Sequence, residues 1–429
     1  MELFKEYDIR GIYGEELTPD FAYKLGRSIV IFLKCSDLII ARDGRLSSDI
    51  IHQHFCKGVM DQGCNVNDIG ILSTPNFYFN IMRFQKPGVI ITASHNSKEY
   101  NGFKIMDQNL NAVHLGNGLK DIKKLVENKN FQEPYKKGNF VHLSANKYYI
   151  EYLEKFFVDK DVSFVLDMSN GSGKVEADFL DGRYNNCIVI NGDIDGNFPA
   201  HSPDPTNIES QVQLKKKILE NNADFGVIFD GDADRAMFFD EKANMIRPEI
   251  VVSLFNLKEK VIYDVRSSQS LSRVCSEQDV DTFMVKAGRT NMVSDMKKHD
   301  AFIGVEGSGH YFFKEFGYVD SAILAVLKLI ENLKTPLSEY VQKNTRYNHS
   351  GEINFQVKNR LKSIEKIRQE FNDAQTLNLD GYSFYLTDSW FNIRLSNTEP
   401  LIRLNAESKT KESLTVLINK IKAILKDEN

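Results

Sequence analysis

The chain has 429 residues, of which 42% are hydrophobic and 26% charged, with a net charge of −5. This is the composition of a globular protein with enough apolar residues to build cores, not of a disordered chain, and at about 100–200 residues per domain the length fits two to four domains. The mild negative charge gives no electrostatic reason to expect nucleic acid or an anionic membrane surface, so an anionic ligand has to be gathered by local arginines and lysines.

The first residues, MELFKEYDIRG, are charged from position 2 and contain no apolar h-region, so they do not read as a secretory signal. The longest apolar stretches, SIVIFL and AILAVLKLI, fall well short of the roughly 18 residues that a membrane span requires. Cys35, Cys56, Cys64, Cys187 and Cys275 are scattered, with no CxxC pair. They read as reduced thiols of a cytoplasmic protein rather than as a disulfide frame or a zinc site.

Along the chain, short β-branched runs recur, each opening into a glycine-marked or polar loop: SDLIIARDG, KPGVIITASHN, VSFVLDMSNGSG, ADFGVIFDGDADR and EKVIYDVRSS. Each is expected to be a buried strand, and the helical patterns between them imply α/β units with mostly parallel sheets. Ligands then belong at the C-terminal strand ends. Composition shifts near 138–147, 240–247 and 335–350 divide the chain into expected domains 1–143, 144–243, 244–343 and 344–429. Neither low-complexity sequence nor a conspicuous short-period repeat is present.

Four polar clusters lie at such strand ends. In Thr92-Ala93-Ser94-His95-Asn96, followed by Tyr100-Asn101-Gly102-Phe103-Lys104, Ser94 reads as an exposed nucleophile beside a base, or as part of an ST-turn that closes the strand with His95 satisfied by hydrogen bonds. No G-x-S-x-G elbow supports a hydrolase triad. In Asp230-Gly231-Asp232-Ala233-Asp234-Arg235, three carboxylates at alternate positions repel one another unless a cation offsets them, which points to a hard metal ion with oxygen ligands. An EF-hand is excluded, because the glycine falls at the second loop position and not the sixth. Glu306-Gly307-Ser308-Gly309-His310 reads as a loop that hydrogen-bonds sugar hydroxyls, or as an ordinary glycine-rich loop. Arg394-Leu395-Ser396-Asn397-Thr398-Glu399-Pro400, with Arg403, reads as a phosphate cradle or as an exposed turn with salt bridges. A serine nucleophile, a metal site, a polyol loop and a phosphate site together fit phosphoryl transfer on a phosphorylated sugar.

Seven motifs, YDIRG, TASHN, YNGFK, DGNFPAHSPDPT, FDGDADR, EGSGH and RLSNTEP, occur in this order across essentially the whole chain. By them the sequence resembles the α-D-phosphohexomutase family, which includes phosphomannomutases, phosphoglucomutases and phosphoglucosamine mutases. The resemblance implies an α/β fold of four domains around a central cleft. The first three would be α/β with mixed, mainly parallel sheets, and the last a smaller α+β domain. It implies that Ser94 carries a phosphate and, with Asp230, Asp232 and Asp234, binds one Mg2+ per chain. Arg10, His95, Lys104, Arg235 and His310 would line the reacting centre. Glu306 and Ser308 would hold sugar hydroxyls. Arg394, Ser396, Asn397 and Thr398 would hold the distal phosphate, with Arg403 nearby. A hexose 1,6-bisphosphate would be both intermediate and activator, the partners would be small sugar phosphates only, and the chain would act as a monomer or dimer.

Three positions depart from the family pattern. Ser97 replaces a proline, Val305 replaces a glycine, and Arg289, in KAGRTN, stands where mannose-type members often carry histidine. Arginine is a poor proton shuttle, which moves the proton-carrying role toward Lys104 or His310 and leaves Arg289 as a substrate contact. YNGFK and WFNIRLSNTEPLIRLNAES look most like bacterial phosphomannomutases that feed GDP-mannose synthesis, so mannose phosphate is the expected substrate with glucose phosphate as a second. The alternatives are a phosphoglucosamine mutase, a metal-dependent phosphatase and a non-catalytic sugar-phosphate-binding protein.

Overall fold

The computed structural model describes residues 3–128, 131–396 and 401–426. All five expected strand runs are strands, at Asp37–Arg42, Gly88–Ile91, Ser163–Asp167, Phe225–Phe229 and Val261–Asp264, and each ends where its polar loop begins. The chain divides into two compact units, Met1–Ile246 with Ser308–Ser338, and Arg247–Gly307 with Glu339–Asn429.

The first unit holds two complete mixed sheets. One has the order Ile9–Ile12, Tyr100–Met106, Gly88–Ile91, Asp37–Arg42, Asn65–Ile71, Phe140–His142. The last four strands are parallel, and the first two are added antiparallel at the edge that carries Gly88–Ile91. The other sheet has the order Met245–Ile246, Ala236–Asp240, Phe225–Phe229, Ser163–Asp167, Asn186–Ile190. Phe229 pairs with Ala236 across an antiparallel hairpin, so Asp230–Arg235 is the hairpin loop. This unit also contains the antiparallel pair Tyr311–Phe313 and Val319–Asp320, followed by helix Ala322–Asn332. That helix is the stretch AILAVLKLI; Ser321 caps its start, and it is buried almost all round, which is why it is apolar on every face.

In the second unit, Val261–Asp264 runs parallel to both Thr282–Val285 and Ile303–Val305. Its other sheet is wholly antiparallel, in the order Asn348–Gln356, Leu401–Ser408, Ser389–Leu395, Tyr382–Tyr385, Gln375–Leu377. Helices Arg360–Glu370 and Lys411–Lys426 pack on it through Ile367 and Ile421 against Phe391, Ile393 and Leu404, which makes this last part α+β. No helix among the described residues is long and apolar enough to cross a membrane. The five cysteines are all free thiols, with the Cys35 and Cys64 sulfurs 3.7 Å apart.

Local signals explain the helices that brace the site. Thr18 caps Pro19–Leu33 by accepting the Phe21 N–H, and Pro19 opens the helix at a position that needs no donor. This helix crosses Ser48–Asp61 backbone to backbone: a Cβ on Gly26 would lie 2.4 Å from the Phe55 carbonyl oxygen, and one on Gly58 would lie 2.0 Å from that of Tyr23. Gly58→Ala must push the two helices apart, at a cost of about 1–3 kcal/mol. Urea denaturation is expected to show a correspondingly lower midpoint, and an unchanged midpoint would contradict this packing.

Candidate functional site

The strand Gly88–Ile91 is buried along its length and delivers the chain to Thr92, whose hydroxyl accepts the Ser94 N–H at 2.9 Å. The ST-turn expected from composition therefore exists, formed by Thr92, and it presents Ser94 to the site. Ser94 sits in the left-handed region at φ 51, a conformation that costs a non-glycine residue energy and persists only where surroundings enforce it. Its hydroxyl was expected to be exposed; it is 1% exposed instead. The physical reason is that Oγ donates to Asp230 Oδ2 at 2.7 Å and lies 3.3 Å from His95 Nδ1.

Asp230, Asp232 and Asp234 are buried, and one oxygen from each comes within 4.8 Å of the others. Their loop is braced from within, because the N–H groups of Asp234 and Arg235 both donate to Asp230 Oδ1. It is braced from outside by Thr74, whose hydroxyl donates to Asp232 Oδ2 at 2.6 Å and whose N–H donates to the Asp232 carbonyl. Gly231 lets the two loops touch, since a Cβ there would lie 2.6 Å from the Ser94 carbonyl oxygen.

Burial and the neighbouring Asp234 and Asp232 push the Asp230 carboxyl well above its usual range. Asp234 is held well below that range, because Lys104, His310 and Arg235 outweigh the cost of its burial. Lys104 Nζ bridges Asp232 Oδ2 at 2.6 Å and Asp234 Oδ2 at 2.5 Å. Burial alone would lower its pKa, but the two carboxylates hold it well above the ordinary lysine value. Lys104 therefore lies as a cation against both carboxylates. Asp232 Oδ1 and Asp234 Oδ1 are buried and accept no hydrogen bond among the described residues. These hard oxygens, that of Asp234 3.4 Å from His310 Nε2, beside a third carboxylate fit a small oxygen-seeking cation such as magnesium.

Around this centre, Arg10 on strand Ile9–Ile12 donates to Asp8 Oδ2 and to the Ala93 carbonyl, gripping the serine loop. His310 Nε2 lies 3.2 Å from Arg235 Nε and 3.4 Å from Asp234 Oδ1, and its Nδ1 lies 3.1 Å from Ser308 Oγ. Arg235, burial and Arg10 depress His95 well below the usual histidine value, so it stays neutral beside Ser94. Ser94, His95, Arg10, Lys104, the three aspartates, Arg235, Ser308 and His310 thus come together in the first unit. Asp320, buried and 3.8 Å from His310 Nε2, joins them without having been anticipated from sequence.

In the second unit, Glu306 Oε1 accepts the Gly288 N–H at 2.8 Å, next to Arg289, which opens helix Arg289–His299. Arg394 and Arg403 face each other across paired strands, and Glu352 bridges them, accepting from Arg394 Nη2 and Arg403 Nη1 at 2.7 Å each. Burial raises the Glu352 carboxyl, but the two guanidiniums overcome this and keep it ionised. Arg394 is 8% exposed, and its Nε–H has no partner among the described residues. Ser396 N donates to the Leu401 carbonyl and closes the hairpin. Asp380 ties the two places together: it accepts the Ala287 N–H at 3.3 Å and lies 3.9 Å from Arg394 Nη1. Asn397 and Thr398 lie outside the described residues. Thr74, Glu352, Asp380 and Asp320 stand in ordinary-looking segments, and only the Ser-Thr-Pro start of helix Thr74–Phe84 carried a readable signal, that of a cap.

Residues 1–133, 147–243 and 250–347 match the phosphoglucomutase/phosphomannomutase alpha/beta/alpha domains I, II and III, and residues 352–424 match the C-terminal domain of the same family. A phosphomannomutase of Methanocaldococcus jannaschii is 36% identical, covering 99% of this chain and 97% of the relative. A phosphoglucomutase of Neisseria gonorrhoeae is 32% identical over 99% and 96%. A solved phosphoglucomutase/phosphomannomutase family protein from Burkholderia thailandensis superposes with a TM-score of 0.90 at 26% identity, covering 100% of this chain and 97% of that one. With four matched domains and relatives of this identity along its whole length, the chain belongs to the α-D-phosphohexomutase family of phosphoglucomutases and phosphomannomutases.

Proposed function

We propose that the chain interconverts mannose 6-phosphate and mannose 1-phosphate, and also the glucose phosphates, through a phosphorylated Ser94 and a hexose 1,6-bisphosphate. The observation that carries this reading is the Ser94 hydroxyl bonded to Asp230 of a buried three-carboxylate loop, with the Lys104 ammonium on the other two carboxylates.

Asp230, Asp232 and Asp234, with the phosphate on Ser94, would hold one Mg2+, which when bound neutralises charge on the transferring phosphoryl group. Lys104 and Arg10 offset charge as the Ser94 Oγ–P bond breaks and a bond from phosphorus to a sugar oxygen forms. Lys104 or His310 would take the sugar hydroxyl proton and return it in the second half-reaction. His95, neutral beside Oγ, shapes the serine's surroundings without adding charge. Glu306 and Ser308 hold sugar hydroxyls, Arg289 adds a positive charge to the substrate contacts, and Arg394, Ser396 and Arg403, together with Asn397 and Thr398, hold the phosphate that does not react. The bisphosphate turns around and gives its other phosphate back to Ser94, so no net phosphate is lost. The enzyme works in the cytoplasm, on small sugar phosphates alone.

The substrate reading is tested by a panel of mannose 1-phosphate, glucose 1-phosphate and glucosamine 1-phosphate with magnesium and a trace of hexose 1,6-bisphosphate. The highest kcat/KM is expected for mannose 1-phosphate, with glucose 1-phosphate next. Preference for glucosamine 1-phosphate would make the chain a phosphoglucosamine mutase, and release of free phosphate as the main product would make it a phosphatase.

One phosphate cradle that serves both half-reactions must hold the 1-phosphate and the 6-phosphate in turn. Arg394→Ala is therefore expected to weaken hexose 1-phosphate and hexose 6-phosphate alike, each by about 1.5–3 kcal/mol, the range for a hydrogen bond to a charged group. Calorimetric titration of both ligands checks this, and a loss confined to one ligand would mean two separate phosphate sites.

A further inference from the structure

The loops that carry the candidate chemistry are held by aspartates outside the seven motifs, and the holding follows one pattern in three places. Asp43, Asp167 and Asp264 are buried at the C-terminal ends of Asp37–Arg42, Ser163–Asp167 and Val261–Asp264. In each, Oδ1 accepts the N–H two residues on, from Arg45 at 3.1 Å, Ser169 at 2.9 Å and Arg266 at 2.9 Å. In each, Oδ2 faces a basic side chain: Arg45 Nε at 3.0 Å, His201 Nε2 at 3.1 Å and Arg266 Nε at 2.7 Å. Each strand also runs parallel to the one that ends in a functional loop, namely Gly88–Ile91, Phe225–Phe229 and Ile303–Val305.

The residue two past the aspartate then reaches across to that neighbouring loop. Ser169 Oγ donates to the Phe229 carbonyl, immediately before Asp230. Arg266 Nη2 comes within 3.7 Å of Glu306 Oε1. Arg45 does the most. Its side chain has no exposed surface, and besides the bond to Asp43 it donates Nη2 to the carbonyls of Ser94 (2.8 Å) and Asn96 (2.6 Å), and Nη1 to those of Ser97 (2.6 Å) and Tyr100 (3.1 Å). All five guanidinium N–H groups are therefore used, four of them on the serine loop.

The motif DGNFPAHSPDPT, which the proposed chemistry leaves without a task, closes over this clamp. Phe198 lays its ring 5.0 Å from the Arg45 Cζ. Gly196 packs so close that a Cβ there would sit 2.5 Å from the Gly44 carbonyl oxygen and from the Leu46 nitrogen. His201 of the same motif is the basic partner of Asp167.

We propose that Arg45 is a positioning residue that fixes the Ser94 loop for phosphoryl transfer, and that Asp43-x-Arg45, Asp167-x-Ser169 and Asp264-x-Arg266 are one loop-holding device used three times. The inference rests on the reading of Ser94 as the phosphorylated nucleophile. Ser94 occupies a strained conformation, and its own carbonyl is one that Arg45 holds, so freeing that carbonyl frees the serine to leave the geometry of transfer. Lysine keeps the charge but offers three donors and no plane, and cannot replace the fork.

The test uses the full chain with magnesium, hexose 1-phosphate and a trace of bisphosphate, comparing wild type, Arg45→Lys and Ser94→Ala. Arg45→Lys is expected to lower kcat by about 100-fold, the scale of a misplacement near 1 Å, while KM and magnesium affinity stay within about threefold of wild type. An equal kcat for the two would overturn the positioning role, as would a change confined to KM. Should Arg45→Lys fail to fold, Phe198→Leu decides instead: reduced kcat at unchanged KM supports the clamp, and wild-type kcat overturns it. Ser94→Ala separates this inference from the one beneath it. Retained turnover there overturns the covalent reading and the role of Arg45 with it, whereas an inactive Ser94→Ala beside a fully active Arg45→Lys overturns the positioning role alone.

Discussion

Three carboxylates, Asp230, Asp232 and Asp234, are held out of water within 4.8 Å of one another. Like charges at that distance in a buried loop repel strongly, and the arrangement survives only because cations and N–H groups converge on it. Lys104 bridges two of them, Arg235 lies 3.9 Å from Asp230, and Thr74 donates to Asp232. The three aspartates lie in a hairpin loop of one sheet, while Lys104 stands in a strand of the other sheet of the same unit, Ser94 in the loop after one of its strands and Thr74 at the start of a helix beside it. The electrostatic demand of the acidic loop thus helps to join those two sheets. It also explains the burial of Ser94, whose hydroxyl is one of the few neutral donors that reach the loop.

Much of this could be read in advance, because the signals were local. A β-branched run that stops at Asp-Gly-Asp or Thr-Ala-Ser is both a strand and a site, and all five such runs fold as strands. The apolar stretch AILAVLKLI was too short to span a membrane and became a buried helix. The residues missed were those whose role depends on partners far away in sequence. Arg45 lies 49 residues from Ser94 along the chain, and Thr74 lies 158 residues from Asp232. Glu352, between Arg394 and Arg403, is one more acidic residue of an alternating strand until the register places it. The exposed hydroxyl expected of Ser94 failed for the same reason: its burial depends on Asp230, in the other sheet's loop.

The departures from the family pattern take on physical meaning in the same terms. Ser97 meets Arg45 through its backbone carbonyl, which a proline at that position would also offer, so the clamp does not depend on the change. Arg289 opens its helix directly after Gly288, whose N–H holds Glu306. An arginine there cannot serve as the proton shuttle that a histidine could be.

The central claim is that phosphate passes through Ser94 and not directly to water or between sugars. The most direct measurement is to incubate the enzyme and magnesium with hexose 1,6-bisphosphate labelled in both phosphates, map the labelled peptide, and chase with unlabelled hexose phosphate. The account predicts label on the peptide containing Ser94, and its return to sugar during the chase. No labelled serine, or label that leaves only as inorganic phosphate, would contradict it.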